Sequence, residues 1–170
     1  MLTSISPLGE RARHNRWGLT VTAYVAGSVL AGVAVGILLG GLGAVFSLPA
    51  AAKAALLAVG ALASILADAG VIPLPTLHRQ VNEDWLNRYR GWVYGGGFGV
   101  QLGAGVATIV TSATVYLTLV GELLVGSAAL GALIGATFGL VRAAPLVILG
   151  RPRGYQQLVA HHGRLVALAP

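Results

Sequence analysis

The stretch that decides the fold is an uncharged run of 29 residues, Gly18 to Phe46, with the sequence GLTVTAYVAGSVLAGVAVGILLGGLGAVF. A helix needs about 20 apolar residues to cross the hydrocarbon core of a bilayer. The run carries glycine at helical spacing and has no stronger breaker in its middle. It therefore predicts one transmembrane helix that is tilted or slightly longer than the membrane is thick.

The composition of the whole chain agrees with a membrane environment. Of the 170 residues, 56% are hydrophobic and 9% are charged, and the mean hydropathy is +0.80. A soluble domain carries about 25% charged residues because its surface must face water. Most of this surface must therefore face lipid. We predict an all-α, polytopic transmembrane bundle of about four helices, with the lipid bilayer as its first partner.

Three further apolar runs complete the predicted bundle. Pro73 and Pro75 end the second run, because proline disrupts a helix interior, and Gly121-Glu122 is interpreted as the turn between the last two spans. A basic segment, residues 1–17, precedes the first span, and a basic tail, residues 150–170, follows the last and could lie in the interface as an amphipathic helix. The predicted transmembrane domain, 18–149, has its spans at about 18–46, 54–72, 93–120 and 123–149.

The distribution of basic residues predicts the orientation. Nine of the eleven Lys and Arg lie in the amino-terminal segment, the central loop and the tail, whereas the two opposite turns carry only Lys53. Cytoplasmic loops are enriched in Lys and Arg, so we predict a multi-pass protein of the cell membrane with both termini cytoplasmic. The same bias explains the net charge of +6 without a nucleic-acid partner.

Glycines recur every four residues in three of the four spans, which places each set on one helix face. Lipid tails are as apolar as leucine, so helices in a bilayer associate through close backbone approach. The spacing predicts tight helix packing within the bundle; a homodimer contact made by one of the faces is the alternative. The glycines concerned are Gly32, Gly36, Gly40, Gly95, Gly99, Gly103, Gly131, Gly135 and Gly139.

Two charged residues fall within predicted spans, Asp68 in the second and Arg142 in the fourth. A charge at the bilayer centre costs roughly 2.5–3.5 kcal/mol on insertion scales. We predict that the two form a buried ion pair. Separate solvation at the interface and a proton or ion relay are the alternatives.

The third predicted span is unusually polar, and its candidate binding residues are Gln101, Thr108, Thr111 and Ser112. Threonine and serine can bond the carbonyl one turn back, which would make them an ordinary helix lining. A polar crevice that binds or passes a small solute is the alternative. Glu122 follows this span, and we interpret it as part of a solvated turn.

No residue set predicts a catalytic, metal or cofactor site. The chain has no cysteine, which excludes disulfides, thiolate metal sites and thiol redox chemistry. His161 and His162 are adjacent, so on a helix they would point about 100° apart, and we expect them to be surface residues. We therefore predict no metal, no cofactor and no enzymatic activity.

The stretch from about Ala61 to Arg151 resembles the CcdA/DsbD family of membrane proteins, which serve cytochrome c biogenesis and disulfide reduction. The residues that carry the resemblance are VIPLP at 71–75, GFGVQLG at 97–103 and FGL at 138–140, followed by Pro145. The resemblance implies a fold and a topology. Where the family has its redox Pro-Cys pair this chain has TIVTS at 108–112, so the thiol relay does not carry over.

Two functions from different classes remain. The first is a non-catalytic accessory or structural subunit that assembles with itself or with another membrane protein through its glycine faces. The second is a small-solute or ion transporter that uses the Thr/Ser face of the third span and acts as a homo-oligomer. Few ionisable residues and a small size favour the first.

Overall fold

A computed structural model describes residues 5, 7–46, 48–73, 85–105, 110 and 112–149. Every regular element in these ranges is a helix, which confirms the predicted all-α class. The basic tail, with His161 and His162, lies outside the described residues. The helices are α1 (Pro7–Ala12), α2 (Trp17–Gly43), α3 (Ala50–Asp68), α4 (Trp85–Arg88), α5 (Gly91–Gly103), α6 (Thr114–Val125) and α7 (Ala128–Leu149).

Among the described helices, three are long and apolar enough to cross a membrane: α2, α3 and α7, the last over Ala128–Ile148. Their large apolar side chains point outwards; Leu30 of α2, Ile65 of α3 and Leu133 of α7 are each about two-thirds exposed. In α3 no residue is buried. Large apolar patches on a surface indicate that something other than water covers them, so the chain is a membrane protein.

The long helix α2 is the centre of the bundle. It packs along α7 on one side and along α5 on another. The helix α6 contacts both α2 and α7, and it also contacts α3. Gly32 faces Gly135 and Gly36 faces Gly131, so α2 and α7 run in opposite directions. Thr20 faces Gly95 and Ser28 faces Gly103, so α2 and α5 run in the same direction.

The predicted third span, 93–120, is not one helix. The helix α5 ends at Gly103 and α6 begins only at Thr114. Gly105 in the interruption has φ +79°, a conformation that a continuing helix excludes. Ser112 accepts a hydrogen bond from the Thr114 amide at 3.2 Å, and such local bonding competes with helix formation. The predicted span therefore contains two short helices, and the break begins after Gly103.

The predicted turn at Gly121-Glu122 is also wrong. Both residues lie inside α6, and the chain turns instead at Gly126, where φ is +64°. A left-handed residue is the common way to end a helix, and glycine adopts it without steric cost. Glu122 is consequently a helical residue that lies within the bundle.

Candidate functional site

The two helices α2 and α7 meet along a line of backbone contacts that we call the glycine seam. It consists of Gly32, Gly36 and Gly40 of α2 against Gly135 and Gly131 of α7 and Ser127, the residue just before α7. A Cβ atom added at any of the three α2 glycines would overlap the carbonyl group opposite. The helix backbones are thus as close as they can be, and any side chain at these positions must separate them.

A second line of contacts joins α2 to α5. Gly95, Gly99 and Gly103 have no room for a side chain, because each lies against a main-chain carbonyl of α2. Gly139 of α7 lies against the backbone at Ser28 in the same way, and the buried Ser28 hydroxyl donates a hydrogen bond of 2.9 Å to the Gly139 carbonyl. All nine glycines of the predicted faces therefore lie at contacts of α2 with α5 or α7.

The start of α6 is held by Asp68, the last residue of α3. Its carboxylate accepts hydrogen bonds from the Ala113 amide at 2.7 Å and from the Ser112 hydroxyl at 2.8 Å. An acidic side chain at a helix start satisfies free amide groups and interacts favourably with the helix dipole. Asp68 thus acts as a cap for the second half of the broken span.

The other half of the broken span ends beside Arg142 of α7. The Arg142 guanidinium donates a hydrogen bond of 3.2 Å to the Gly105 carbonyl, just after α5, and lies 5.3 Å from the ring centre of Phe138. A cation is favourable at the carboxyl end of a helix, where carbonyl groups lack partners. The two charges therefore stabilise opposite ends of the interruption.

The predicted ion pair between Asp68 and Arg142 is not formed; in the described part of the chain the two side chains have separate partners. The physical reason is the break in the span. The break leaves amide groups without helical partners at the start of α6 and carbonyl groups without partners after the end of α5. The negative side chain of Asp68 binds the amide end, and the positive side chain of Arg142 binds the carbonyl end. An unbroken helix would have offered neither partner.

The structure describes two of the four polar residues of the predicted crevice, Gln101 and Ser112. Gln101 is half-buried on α5, two residues before its end. The Ser112 hydroxyl bonds Asp68 and lies 2.9 Å from the Thr114 hydroxyl. Thr108 and Thr111 lie outside the described residues. Ser112 thus lies at the start of α6 as part of its cap.

Glu122 is a buried carboxylic acid that the sequence did not reveal as such. It is 1% exposed, and its Oε2 atom has no hydrogen-bond partner among the described residues. Its Oε1 atom lies 3.2 Å from the position that a Cβ on Gly135 would occupy. Gly135 therefore leaves room both for the backbone of α2 and for this carboxyl group.

Replacing Glu122 by methionine is expected to raise the melting temperature of the purified protein in detergent. A buried polar group without a partner costs about 1–3 kcal/mol, and methionine fills a similar volume without that cost. Thr137→Val, on an exposed position of α7, is the control and should leave the melting temperature unchanged. A lower melting temperature for Glu122→Met would show that the carboxyl group has a stabilising partner.

A second buried acid, Glu10 of α1, was not identified from the sequence. It is fully buried and accepts hydrogen bonds from the hydroxyl groups of Thr20, at 2.8 Å, and Tyr94. Arg13 forms a salt bridge with it at 3.0 Å. The carboxylate joins α1 to the first turns of α2 and α5. The only signal in the sequence was the spacing of Glu10 and Arg13, three residues apart on a helix.

The comparisons with known proteins give one consistent result. No family model matches the chain, and no solved structure matches it. Two curated relatives do, each named methylamine utilization protein MauF. The Paracoccus denitrificans protein is 30% identical over 160 residues, 90% of this chain and 58% of the relative. The Paracoccus versutus protein is 30% identical over 169 residues, 96% of this chain and 62% of the relative.

The chain is similar to MauF. It spans about three-fifths of the length of the two MauF proteins, and the similarity runs along nearly all of it. This finding overturns the resemblance to the CcdA/DsbD family. That resemblance depended on glycine-rich helices and on proline at helix ends, features that membrane packing favours in many unrelated proteins.

Proposed function

We propose that this chain is a non-catalytic accessory subunit of a membrane assembly that serves methylamine utilisation. The observation that carries the proposal is the similarity to MauF along nearly the whole chain. The glycine contacts of α2 with α5 and α7 support a structural role, because they make the centre of the bundle a closely packed unit. The assembly would contain another membrane protein or a second copy of this chain.

The position of α3 supports assembly with a partner. This helix has no buried residue and is attached to the described bundle through α6. Most of its apolar surface is therefore available to lipid or to another transmembrane helix. We further propose that the protein lies in the cell membrane with both termini cytoplasmic, as the distribution of Lys and Arg favours.

The proposal is tested by deleting the gene in its host. We expect growth to be lost when methylamine is the sole nitrogen source and to be normal on ammonium. The full chain supplied in trans should restore growth, and in mild detergent it should retain a stoichiometric partner. Normal growth of the deletion strain on methylamine would contradict the role in methylamine utilisation.

Transport is the second candidate, and the broken span is the observation that favours it. Discontinuous helices whose ends meet inside the bundle form the substrate sites of many transporters. Here charged side chains lie at both ends of the interruption, Asp68 at one and Arg142 at the other. The chain would then carry a small solute or an ion as a homo-oligomer.

The double substitution Thr111→Val with Ser112→Ala separates the two candidates. Hydrogen bonds within membrane proteins average about 0.6 kcal/mol, so an accessory subunit should tolerate the change and still restore growth on methylamine. A transporter that uses these hydroxyl groups should lose that ability while the protein level stays normal. Immunoblotting of the membrane fraction provides the control for protein level.

A further inference from the structure

The end of the bundle where α2 and α5 begin contains a cavity of about 240 Å³, which we call the N-terminal cavity. It lies between the turn that follows α1 and the first turns of the two parallel helices. Polar and basic side chains form most of its wall, with two apolar side chains among them. Its lining includes Arg16, Leu19 and Thr20 of the α2 side and Arg90 and Trp92 of the α5 side.

Two arginines give the N-terminal cavity its charge. Arg16 precedes α2 and Arg90 precedes α5, and both side chains are exposed. Neither guanidinium forms a hydrogen bond or an ion pair within the described part of the chain. Arginine is suited to phosphate because its planar guanidinium donates two parallel hydrogen bonds.

The buried carboxylate beneath the cavity does not cancel this charge. Glu10 is paired with Arg13, and its oxygens accept the hydroxyl groups of Thr20 and Tyr94. Its negative charge is therefore already balanced. Arg16 and Arg90 together leave the cavity with a positive charge that favours an anion and disfavours a cation.

Two observations indicate that the anion belongs to a lipid. Trp92 and Leu19 line the cavity and are each about half exposed, at 52% and 54%. Tryptophan is enriched at the level of the lipid headgroups, where its ring contacts glycerol and the upper acyl chains. The cavity also lies at the end of α2, the longest of the helices able to cross a membrane.

We propose that the N-terminal cavity binds the phosphate of an anionic phospholipid headgroup, with Arg16 and Arg90 holding the phosphate and Trp92 contacting the glycerol region. The site is independent of the role in methylamine utilisation. It would fix the depth and tilt of α2 and α5 in the leaflet that contacts their first turns.

Native mass spectrometry of the full chain in detergent tests the site. Phosphatidylglycerol and phosphatidylcholine are added at equal concentrations to wild type, to R16Q/R90Q and to R11Q/R88Q. The last is a matched control, because it removes two exposed arginines that do not line the cavity. We expect each arginine that contacts the headgroup in the cavity to contribute about fivefold, the effect of one basic residue on anionic lipid, and arginines outside the cavity to contribute little to this one site.

We expect wild type and R11Q/R88Q to retain one phosphatidylglycerol in preference to phosphatidylcholine, and R16Q/R90Q to bind it at least tenfold more weakly. Equal loss in both double variants, or no loss in R16Q/R90Q, would overturn the site. Displacement of the lipid by inorganic phosphate at about the concentration of the lipid would assign the cavity to a soluble anion instead. Circular dichroism reports folding; if R16Q/R90Q does not fold, R16Q and R90Q alone should each weaken binding about fivefold.

Discussion

Gly36→Leu is expected to abolish the folded bundle, whereas Gly41→Leu is expected to leave it intact. A Cβ at Gly36 would overlap the backbone of Gly131 across the glycine seam, while nothing lies within 4 Å of a Cβ at Gly41. Inserting a few methylene groups into a packed core costs about 1–3 kcal/mol when neighbouring side chains can move. The neighbours of Gly36 are main-chain atoms, which cannot move without separating α2 from α7.

The two substitutions make a matched pair because they add the same side chain to the same helix. The measurements are the yield of monodisperse protein in mild detergent and its melting temperature. Gly41→Leu should match wild type in both. A Gly36→Leu protein with wild-type yield and melting temperature would show that the glycine seam does not determine the stability of the bundle.

Asp68→Ala is expected to lower stability by about 2 kcal/mol, the upper end of the effect of removing a helix cap. The change leaves the Ala113 amide and the Ser112 hydroxyl without their shared acceptor at the start of α6. The melting temperature in detergent should fall, and protease cleavage near the interruption of the span should become faster.

Two variants show whether capping is the cause. Asp68→Asn keeps an oxygen that can accept the Ala113 amide, so it should lose less stability than Asp68→Ala. Ser112→Ala removes one of the two hydrogen bonds and should also fall between wild type and Asp68→Ala. If Asp68→Asn is as damaging as Asp68→Ala, the charge of Asp68 matters more than its hydrogen bonds.

Hydrophobic run length was sufficient to predict the helical class, because a bilayer permits few other structures across its core. It could not predict the break after Gly103, since residues 93–120 carry no charge and no proline, and their Thr and Ser side chains are compatible with a helix. The hydrogen bonds that stabilise the break come from Asp68 and Arg142, far away in the sequence. The sequence placed both charges within predicted spans, but it did not give their partners, because the partners exist only once the span is broken.

The two buried acids were missed for related reasons. Glu10 lies in a polar segment, and only its contacts with Thr20 and Tyr94 show that it is buried. Glu122 follows a glycine, a pattern that favours a turn, yet the helix continues to Val125 and the chain turns at Gly126. A spacing of four places glycines on one face, but the sequence does not say that α2 offers one face to α5 and another to α7.

The central place of α2 has a consequence for biosynthesis. This helix leaves the ribosome before the two it packs against, and α7 is the last of the described helices to be made. Until α7 is inserted, the α2 side of the glycine seam lacks the helix that it contacts in the folded chain. A nascent chain therefore stays incompletely assembled through most of its translation, and a ribosome that stops before α7 would release a product open to membrane proteases.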